Sequence, residues 1–513
     1  MLFSIFRRAS QFFFRHIGPP LLAFVLARIL LLIAAAFSNV DFLGTDLWKR
    51  FDSNHYLAIS QYGYSLFPCT PEEYNGPNAW CGTSGWLLGY PLLIKAISFL
   101  FTSPEWAAIF LSAILHIGSL ILLWIGFLNS TWKGESILCL LLAAFFPGQI
   151  YHHAIFPISL ITFFALLFLY FMKKQNIIGA GLAAASACFS YPSGFLLLGI
   201  GFLYLLIQKK FKAAVLLVSL GSLGLGMVAL VFQLQVGHWD AYLKIHHKYN
   251  HKISNPLKTF SRTIQPLFRL EGWWPSEKIS LVTFRTHDGH FFCAENQDLI
   301  ANRTAPGDWE TFERFVLGGE KVALRAHTNL FLCTSETDKQ TILARCPTLE
   351  PQAVFQEVKG IPPFIGLKTR EGYFLCPDER DEKRRVRAIG LNLEETSLLK
   401  KESRSGSRGQ QRAIIAGQTG FLVSLLLLIL LSTFYRRPQL RSIDILFVLY
   451  TVVSWFFLFS LGSSLSLYRA ESLLLPSIFL GRHLPPWLLI ALLFLETILA
   501  FLMGQLFFRY VLI

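Results

Sequence analysis

Pro19-Pro20-Leu21-Leu22-Ala23-Phe24-Val25-Leu26-Ala27-Arg28-Ile29-Leu30-Leu31-Leu32-Ile33-Ala34-Ala35-Ala36-Phe37-Ser38-Asn39-Val40 is the stretch that decides the fold class. A helix needs about twenty mostly apolar residues to cross the hydrocarbon of a bilayer, and this run supplies them. Beyond it comes an amphipathic, aromatic stretch, Leu47-Trp48-Lys49-Arg50-Phe51-Asp52-Ser53-Asn54-His55-Tyr56-Leu57-Ala58-Ile59, leading to Gln61-Tyr62-Gly63-Tyr64. A carboxylate, two cations, an imidazole and several rings are thereby gathered at the level of the lipid headgroups. A site there can meet a substrate whose tail lies in lipid and whose head carries phosphate.

Composition extends the same reading. The chain has 513 residues, of which 53% are hydrophobic and only 15% charged, which excludes an ordinary soluble enzyme. The 48 phenylalanines suit lipid-facing helices. A net charge of +14 would fit nucleic acid, but its distribution argues against that partner. Arg7, Arg8 and Arg15, Lys173 and Lys174, Lys209, Lys210 and Lys212, and Arg436, Arg437 and Arg441 stand in short loops between apolar runs. That is the positive-inside pattern, which sets orientation. The first run is too long for a signal-peptide core and lacks a small-residue cleavage site, so it reads as a retained span with a cytoplasmic N-terminus.

The pattern predicts an α-helical polytopic membrane protein of ten or eleven spans. After the span at about 19–40, the loop 41–105 lies outside, and the apolar piece from Tyr90 to about Phe101 rests in the interface. Further spans are expected at about 106–127, 135–152, 154–172, 177–190, 193–207 and 213–236, then 413–435, 442–461 and 485–508. Leu473 to Leu480 reads as a short span or a re-entrant piece. Tyr191-Pro192-Ser193-Gly194 breaks a pair of short spans, a break tolerated only inside a bundle or beside a cavity. The modules are an N-terminal membrane module at 1–260, an outer domain at 279–402 and C-terminal helices at 411–513.

The outer domain is polar, strand-like and repeated three times. Thr283-Phe284-Arg285-Thr286-His287-Asp288-Gly289-His290-Phe291-Phe292-Cys293 returns as Ala323-Leu324-Arg325-Ala326-His327-Thr328-Asn329-Leu330-Phe331-Leu332-Cys333. It returns again as Gly366-Leu367-Lys368-Thr369-Arg370-Glu371-Gly372-Tyr373-Phe374-Leu375-Cys376. Each copy reads as strand, tight turn, strand. A second apolar anchor follows each copy at Phe312, Phe355 and Leu398. Three units of about forty residues point to a closed three-lobed β fold. With Trp309-Glu310-Thr311-Phe312 in its first unit, the domain resembles the β-trefoils of the fascin-like group. Two readings of its role stand: a packed spacer or lid, or a surface that binds a glycan or the acceptor.

Eight cysteines fall into groups. Cys69 and Cys81 flank a loop rich in Pro, Gly and Asn, and a disulfide there suits an oxidising compartment. Cys293, Cys333 and Cys376 hold equivalent strand positions and read as packing rather than metal ligands. Cys139 and Cys188 lie in spans, and Cys346 has no evident partner.

Asp52 is the leading candidate for chemistry, with Lys49, Arg50 and His55 beside it. Gln149, Tyr151, His152 and His153 form a second polar set at an outer turn. Tyr468-Arg469-Ala470-Glu471 closes a late span. His246, His247, Lys248 and His251 read as a solvated amphipathic turn. Ionisable groups at membrane depth are costly and tend to be functional. A carboxylate at Asp52 can act as general base on an acceptor hydroxyl. Arg or Lys can stabilise a departing lipid phosphate, so no divalent metal or other cofactor is required. The chemistry this suggests is glycosyl transfer from a lipid-linked sugar.

The same residues carry a resemblance. Arg50-Phe51-Asp52-Ser53-Asn54-His55-Tyr56-Leu57-Ala58-Ile59 with Tyr62-Gly63-Tyr64 is similar to the first outer loop of the GPI mannosyltransferase 2 (phosphatidylinositol-glycan class V) family, within the GT-C superfamily. Gly89-Tyr90-Pro91-Leu92, Val236-Gly237-His238-Trp239-Asp240-Ala241-Tyr242-Leu243, and Tyr468-Arg469 with Leu475-Pro476 resemble later elements of that family. The resemblance implies an inverting mannosyltransferase that uses polyprenyl- or dolichyl-phosphate mannose, with Asp52 catalytic. It implies donor contacts at Lys49, Arg50, His55, Tyr468 and Arg469, and acceptor contacts at Gln149, His152 and His153. The acceptor is a glycan, lipid or protein, and the expected site is the outer face of a bacterial inner membrane or, alternatively, the endoplasmic reticulum. The chain departs from the family at Phe156-Pro157-Ile158-Ser159, where a glutamate is usual, and at Tyr191, where an arginine is usual. The inserted trefoil has a parallel in protein O-mannosyltransferases, another GT-C group. Two readings from other classes stand beside this one. One is a non-catalytic membrane-anchored glycan-binding or scaffold protein. The other is a transporter, disfavoured because the polar groups gather at the outer face rather than the midplane.

Overall fold

The computed structural model of the chain describes residues 11–38, 40–41, 43–69, 79–130, 132–247, 253–268, 279–295, 297–328, 330–404, 408–435, 441–461 and 467–509. The chain divides into a helical unit, within Met1–Gln265 and Ile415–Phe508, and a β unit, within Pro266–Ile414.

Six helices among the described residues are long and apolar enough to cross a membrane: Phe13–Ala36, Pro104–Gly126, Phe211–Val236, Arg408–Tyr435, Ser442–Ser460 and Pro486–Phe508. Shorter apolar helices run over Gly89–Leu100, Gly134–Ala144, Ile158–Lys173, Ile177–Ser190 and Pro192–Ile207. The protein is thus a polytopic α-helical membrane protein with an inserted all-β domain.

The local chemistry explains several element ends. The span expected over 135–152 stops at Ala144. Pro147 follows, and Gly148 adopts φ +78°, a backbone that side chains rarely take. A Cβ at Gly148 would also stand 2.9 Å from the Ser472 side chain, so the turn sits directly on the segment after residue 467. The stretch 473–480 lies within a 3-10 run, Ser472–His483, which contains Pro476 and is buried from Ser472 to Gly481. Strands β1 (Leu66–Pro68) and β2 (Trp80–Gly82) pair in the loop after Tyr64, and a disulfide joins Cys69 to Cys81 beside them.

The β unit has four strands per repeat. The first repeat is β3 (Ile279–Thr286), β4 (Phe291–Glu295), β5 (Asp298–Arg303) and β6 (Phe312–Gly318). The second is β7 (Lys321–Arg325), β8 (Phe331–Thr334), β9 (Ile342–Cys346) and β10 (Phe355–Lys359). The third is β11 (Phe364–Lys368), β12 (Phe374–Pro377), β13 (Val386–Gly390) and β14 (Leu399–Arg404). Antiparallel pairs β3–β6, β6–β7, β7–β10, β10–β11, β11–β14 and β14–β3 close a six-stranded barrel. Hairpins β4–β5, β8–β9 and β12–β13 complete a β-trefoil. Closure leaves no barrel edge unpaired. Gly289 and Gly372 supply the positive φ that the Asp-Gly and Glu-Gly turns require.

Equivalent residues of the three repeats meet in layers. Phe284, Leu324 and Leu367 form one, and Phe292, Leu332 and Leu375 another, all fully buried. The third layer corrects the sequence reading by one residue: Leu399, not Leu398, joins Phe312 and Phe355, because β14 begins at Leu399 with its side chain inward. Burying each such side chain contributes about 1.5–3 kcal/mol. Two residues beyond each anchor stand Arg314, Glu357 and Lys401. Glu357 accepts Arg314 Nε and Nη2 at 2.6 Å each, and Lys401 Nζ at 3.0 Å. The three lobes thus join through one shared carboxylate.

The cysteine reading also changes here. Cys333 is disulfide-bonded to Cys346 across the paired strands β8 and β9. It is therefore not one of three equivalent packed thiols, and Cys346 does have a partner. Cys293 and Cys376 remain free and buried, as do Cys139 and Cys188 in the helical unit.

Candidate active site

Asp52 occupies the N-cap position of the helix Ser53–Tyr62 but makes no capping bond with its side chain. The carboxylate is turned instead to Arg469, with Oδ2 paired to Nη1, and its side chain keeps 31% exposure. It is thus ion-paired without being sealed. The Arg469 guanidinium also lies 5.4 Å from the centre of the Phe156 ring.

The loop carrying Asp52 is stitched to the turn after His153. Ile155 N–H donates to Trp48 O at 3.0 Å. The Ser53 hydroxyl lies 2.6 Å from Arg50 O and 3.1 Å from Ile155 O, and it accepts the Arg50 N–H at 3.1 Å. Arg28 stacks its guanidinium 3.5 Å from the centre of the Trp48 ring. Between these ties Phe51 adopts φ +51°, a left-handed conformation uncommon for a bulky residue. Its ring meets Phe507 edge-on at 5.6 Å. Local strain of this kind persists only where the surroundings over-determine it, and it clusters at functional sites.

Rings surround the ion pair. Tyr56 is buried against the edges of Tyr90 and Phe156. Tyr56, Tyr151 and Tyr191 are all within electrostatic reach of Asp52 or Arg469. Tyr242, on the helix Ala241–His247, is within reach of Tyr191 and Arg469. Burial pushes the Tyr242 phenol up to about 12, so it remains a neutral hydroxyl at working pH. One turn from Asp52, the His55 ring stacks on Trp86 at 3.5 Å between centroids. Trp86 is tethered further: Tyr64 Oη donates to its carbonyl at 2.8 Å, and His246 Nε2 lies 3.1 Å from Gly85 O.

The other residues singled out by sequence fall elsewhere. Lys49 pairs with Glu105 at 3.3 Å. Arg50 is buried. Tyr468 is half-buried next to Arg469. Gln149, His152 and His153 do not form an open face: they are buried in the bundle, where His152 and His153 pack against His116. On the short helix Ile150–His153, His153 is turned inward toward Phe24 and Arg28. Lys248 and His251 lie outside the described residues. Among the described residues no group of three His, Cys, Asp or Glu is arranged to hold a metal ion.

Sequence reasoning missed Trp86 and Tyr242 as site neighbours and took Tyr191 as part of a chain break and as a departure from the arginine usual in the resembled family. A half-buried aromatic beside a carboxylate is the local signal, but aromatics are common in this chain and nothing sequential ties these to Asp52. The arrangement offers a partly open carboxylate, a guanidinium of five donors and a rim of rings.

No family model matches the chain, and no curated protein matches it. Among solved structures it is similar to the S. cerevisiae protein O-mannosyltransferase Pmt1-Pmt2 complex bound to the sugar donor, at 12% identity over 94% of this chain and 90% of that one, with a TM-score of 0.36. It is also similar to the designed 3-fold symmetric protein ThreeFoil, at 14% identity over 24% of this chain and 96% of that one, TM-score 0.22. A BEL beta-trefoil matches at 13% identity over 25% of this chain and 96% of that one, TM-score 0.22. At these TM-scores the likenesses carry no argument, and the fold stands on helix length and strand pairing.

Proposed function

We propose that this protein is a membrane glycosyltransferase that moves a sugar, mannose in our reading, from a polyprenyl- or dolichyl-phosphate carrier to a glycan, lipid or protein acceptor. The observation that carries the reading is the partly exposed Asp52 carboxylate paired to Arg469, whose guanidinium lies against the Phe156 ring. In the proposed reaction Asp52 takes the proton of the acceptor hydroxyl as its oxygen attacks the anomeric carbon. The bond from that carbon to the carrier phosphate breaks, and its electron pair leaves with the phosphate. Arg469, drawn from Asp52 toward the phosphate, stabilises the charge that develops there. This division of labour assigns charge neutralisation to a protein cation rather than a divalent metal. Attack from the side opposite the phosphate inverts the anomeric centre.

Disulfides at Cys69–Cys81 and Cys333–Cys346 support an oxidising compartment, a bacterial periplasm or the lumen of the endoplasmic reticulum. The test is transfer from radiolabelled polyprenyl-phosphate mannose in vesicles holding the full chain. Asp52→Asn is expected to lower kcat on the order of 10²–10⁴-fold while leaving insertion intact. Undiminished transfer by that variant would overturn the assignment.

A further inference from the structure

Glu471 is fully buried in the helical unit, two residues after Arg469 on the five-residue helix Leu467–Glu471. Its two oxygens are held by separate donors. Thr419 Oγ1 donates to Oε1 at 2.6 Å, and Gln418 Nε2 donates to Oε2 at 2.9 Å. Both donors are buried and lie side by side on the helix Arg408–Tyr435. A second buried carboxyl, Glu496 on the helix Pro486–Phe508, is near enough for its charge to interact with that of Glu471. Its Oε2 has no hydrogen-bond partner among the described residues. Burying a carboxylate is costly unless it is well bonded. Two buried carboxyl groups within electrostatic reach of each other, inside a helical bundle, ask for a role.

We infer that Glu471 is a positioning residue: it fastens the short helix that bears Arg469, and so sets where the guanidinium meets Asp52. The inference rests on Asp52 and Arg469 acting as proposed above. The segment following this helix has its own ties, from Tyr450 Oη to Leu473 O at 2.5 Å and between Thr451 and Ser477 at 2.7 Å. Those ties hold residues on the far side of Arg469's helix. Glu471 itself bonds across from that helix to a long one. The acid is also the right group for the task. A carboxylate accepts at both oxygens, whereas an amide would turn an NH2 toward one of the two donors. Glutamine could keep both bonds only by reversing the Thr419 hydroxyl from donor to acceptor, whereas alanine would lose both.

Two experiments on the full chain in liposomes decide this, and they separate its failure from that of the enzymatic reading. The first needs no sugar transfer. Asp52→Cys combined with Arg469→Cys is treated with a short thiol cross-linker, with and without Glu471→Ala. The cross-linking yield is expected to fall about tenfold in the triple variant, as for loss of a supporting group behind a site. An unchanged yield overturns the inference, whatever the protein catalyses. The second uses polyprenyl-phosphate mannose as donor. Thr419→Val, which keeps shape and removes the hydroxyl, is expected to lower kcat about tenfold with the donor KM unchanged, and Thr419→Ser to restore it. A Thr419→Val enzyme with normal kcat, or one that Thr419→Ser fails to rescue, overturns it. If the unmodified chain transfers no sugar while the cross-link still depends on Glu471, the enzymatic reading fails and the positioning role stands.

Discussion

Asp52 and Arg469 meet across 417 positions of sequence. Asp52 was legible by itself, as a carboxylate just past a membrane-length run. Arg469 was legible as a cation at the end of a late span. That they form one pair was not, because ion pairing depends on which helices neighbour each other. The same geometry gives Lys49 a partner of its own, Glu105. Three substitutions follow at this scale. Arg469→Ala is expected to lower kcat about 10²–10³-fold in the vesicle assay, the loss seen when one stabilising donor is removed. Arg469→Lys retains the charge but not the fork of donors, and is expected to recover only part of that loss. Lys49→Ala should leave kcat near normal; a collapse in kcat would place Lys49 in the site.

Within the trefoil, the Arg314–Glu357–Lys401 junction is a device that no single repeat contains. Glu357→Gln leaves two cations facing each other without a counter-charge. It is expected to destabilise the three strands β6, β10 and β14 by about 2 kcal/mol, read by hydrogen exchange of their amides in the full chain. Acid should act on the same domain. Burial works to raise the Asp288 carboxyl, but hydrogen bonds from Thr286 and Arg384 outweigh it and hold the group well below the ordinary carboxylate range. Glu357 and Asp381 are likewise lowered against the opposing effect of burial, by Arg314 and Lys401 in one case and by the Lys383 and Arg385 backbone and the Arg385 side chain in the other. A carboxyl held low in the folded state stabilises it fully above the unfolded value, about 4. That stabilisation disappears as pH falls below this value through the folded one. Protection of the trefoil amides should therefore be flat above about pH 5 and drop on further acidification; equal protection at both ends would refute this. Opening Cys333–Cys346 by Cys346→Ser should cost about 3 kcal/mol for a loop of this size.

For the whole molecule, the inserted domain raises the question of what it does for the membrane unit. Removing 279–402 is expected to reduce acceptor use more than donor binding, measured as acceptor and donor KM in vesicles. Normal acceptor use by the shortened chain would make the trefoil a spacer. The polytopic class and the trefoil were both legible in the sequence, for a common reason. Apolar length, positive loops and a threefold repeat are one-dimensional signals, each imposed by a solvent or a symmetry acting on the chain locally. The short helix after Gly134 was read too long because the Pro147-Gly148 turn obeys its packing on Ser472.

The order of residues by itself determined that this chain crosses a membrane repeatedly, where the three-lobed insert lies, and that Asp52 stands just past the first span. Only the tertiary structure decided who meets whom: Asp52 with Arg469, Glu471 with Gln418 and Thr419, Cys333 with Cys346, and Leu399 rather than its neighbour in the barrel core. Hydropathy and repeats arise from each residue's own preference for lipid, water or strand. Pairings between distant residues arise from how whole helices and strands pack, and many locally equivalent partners compete until that packing selects one.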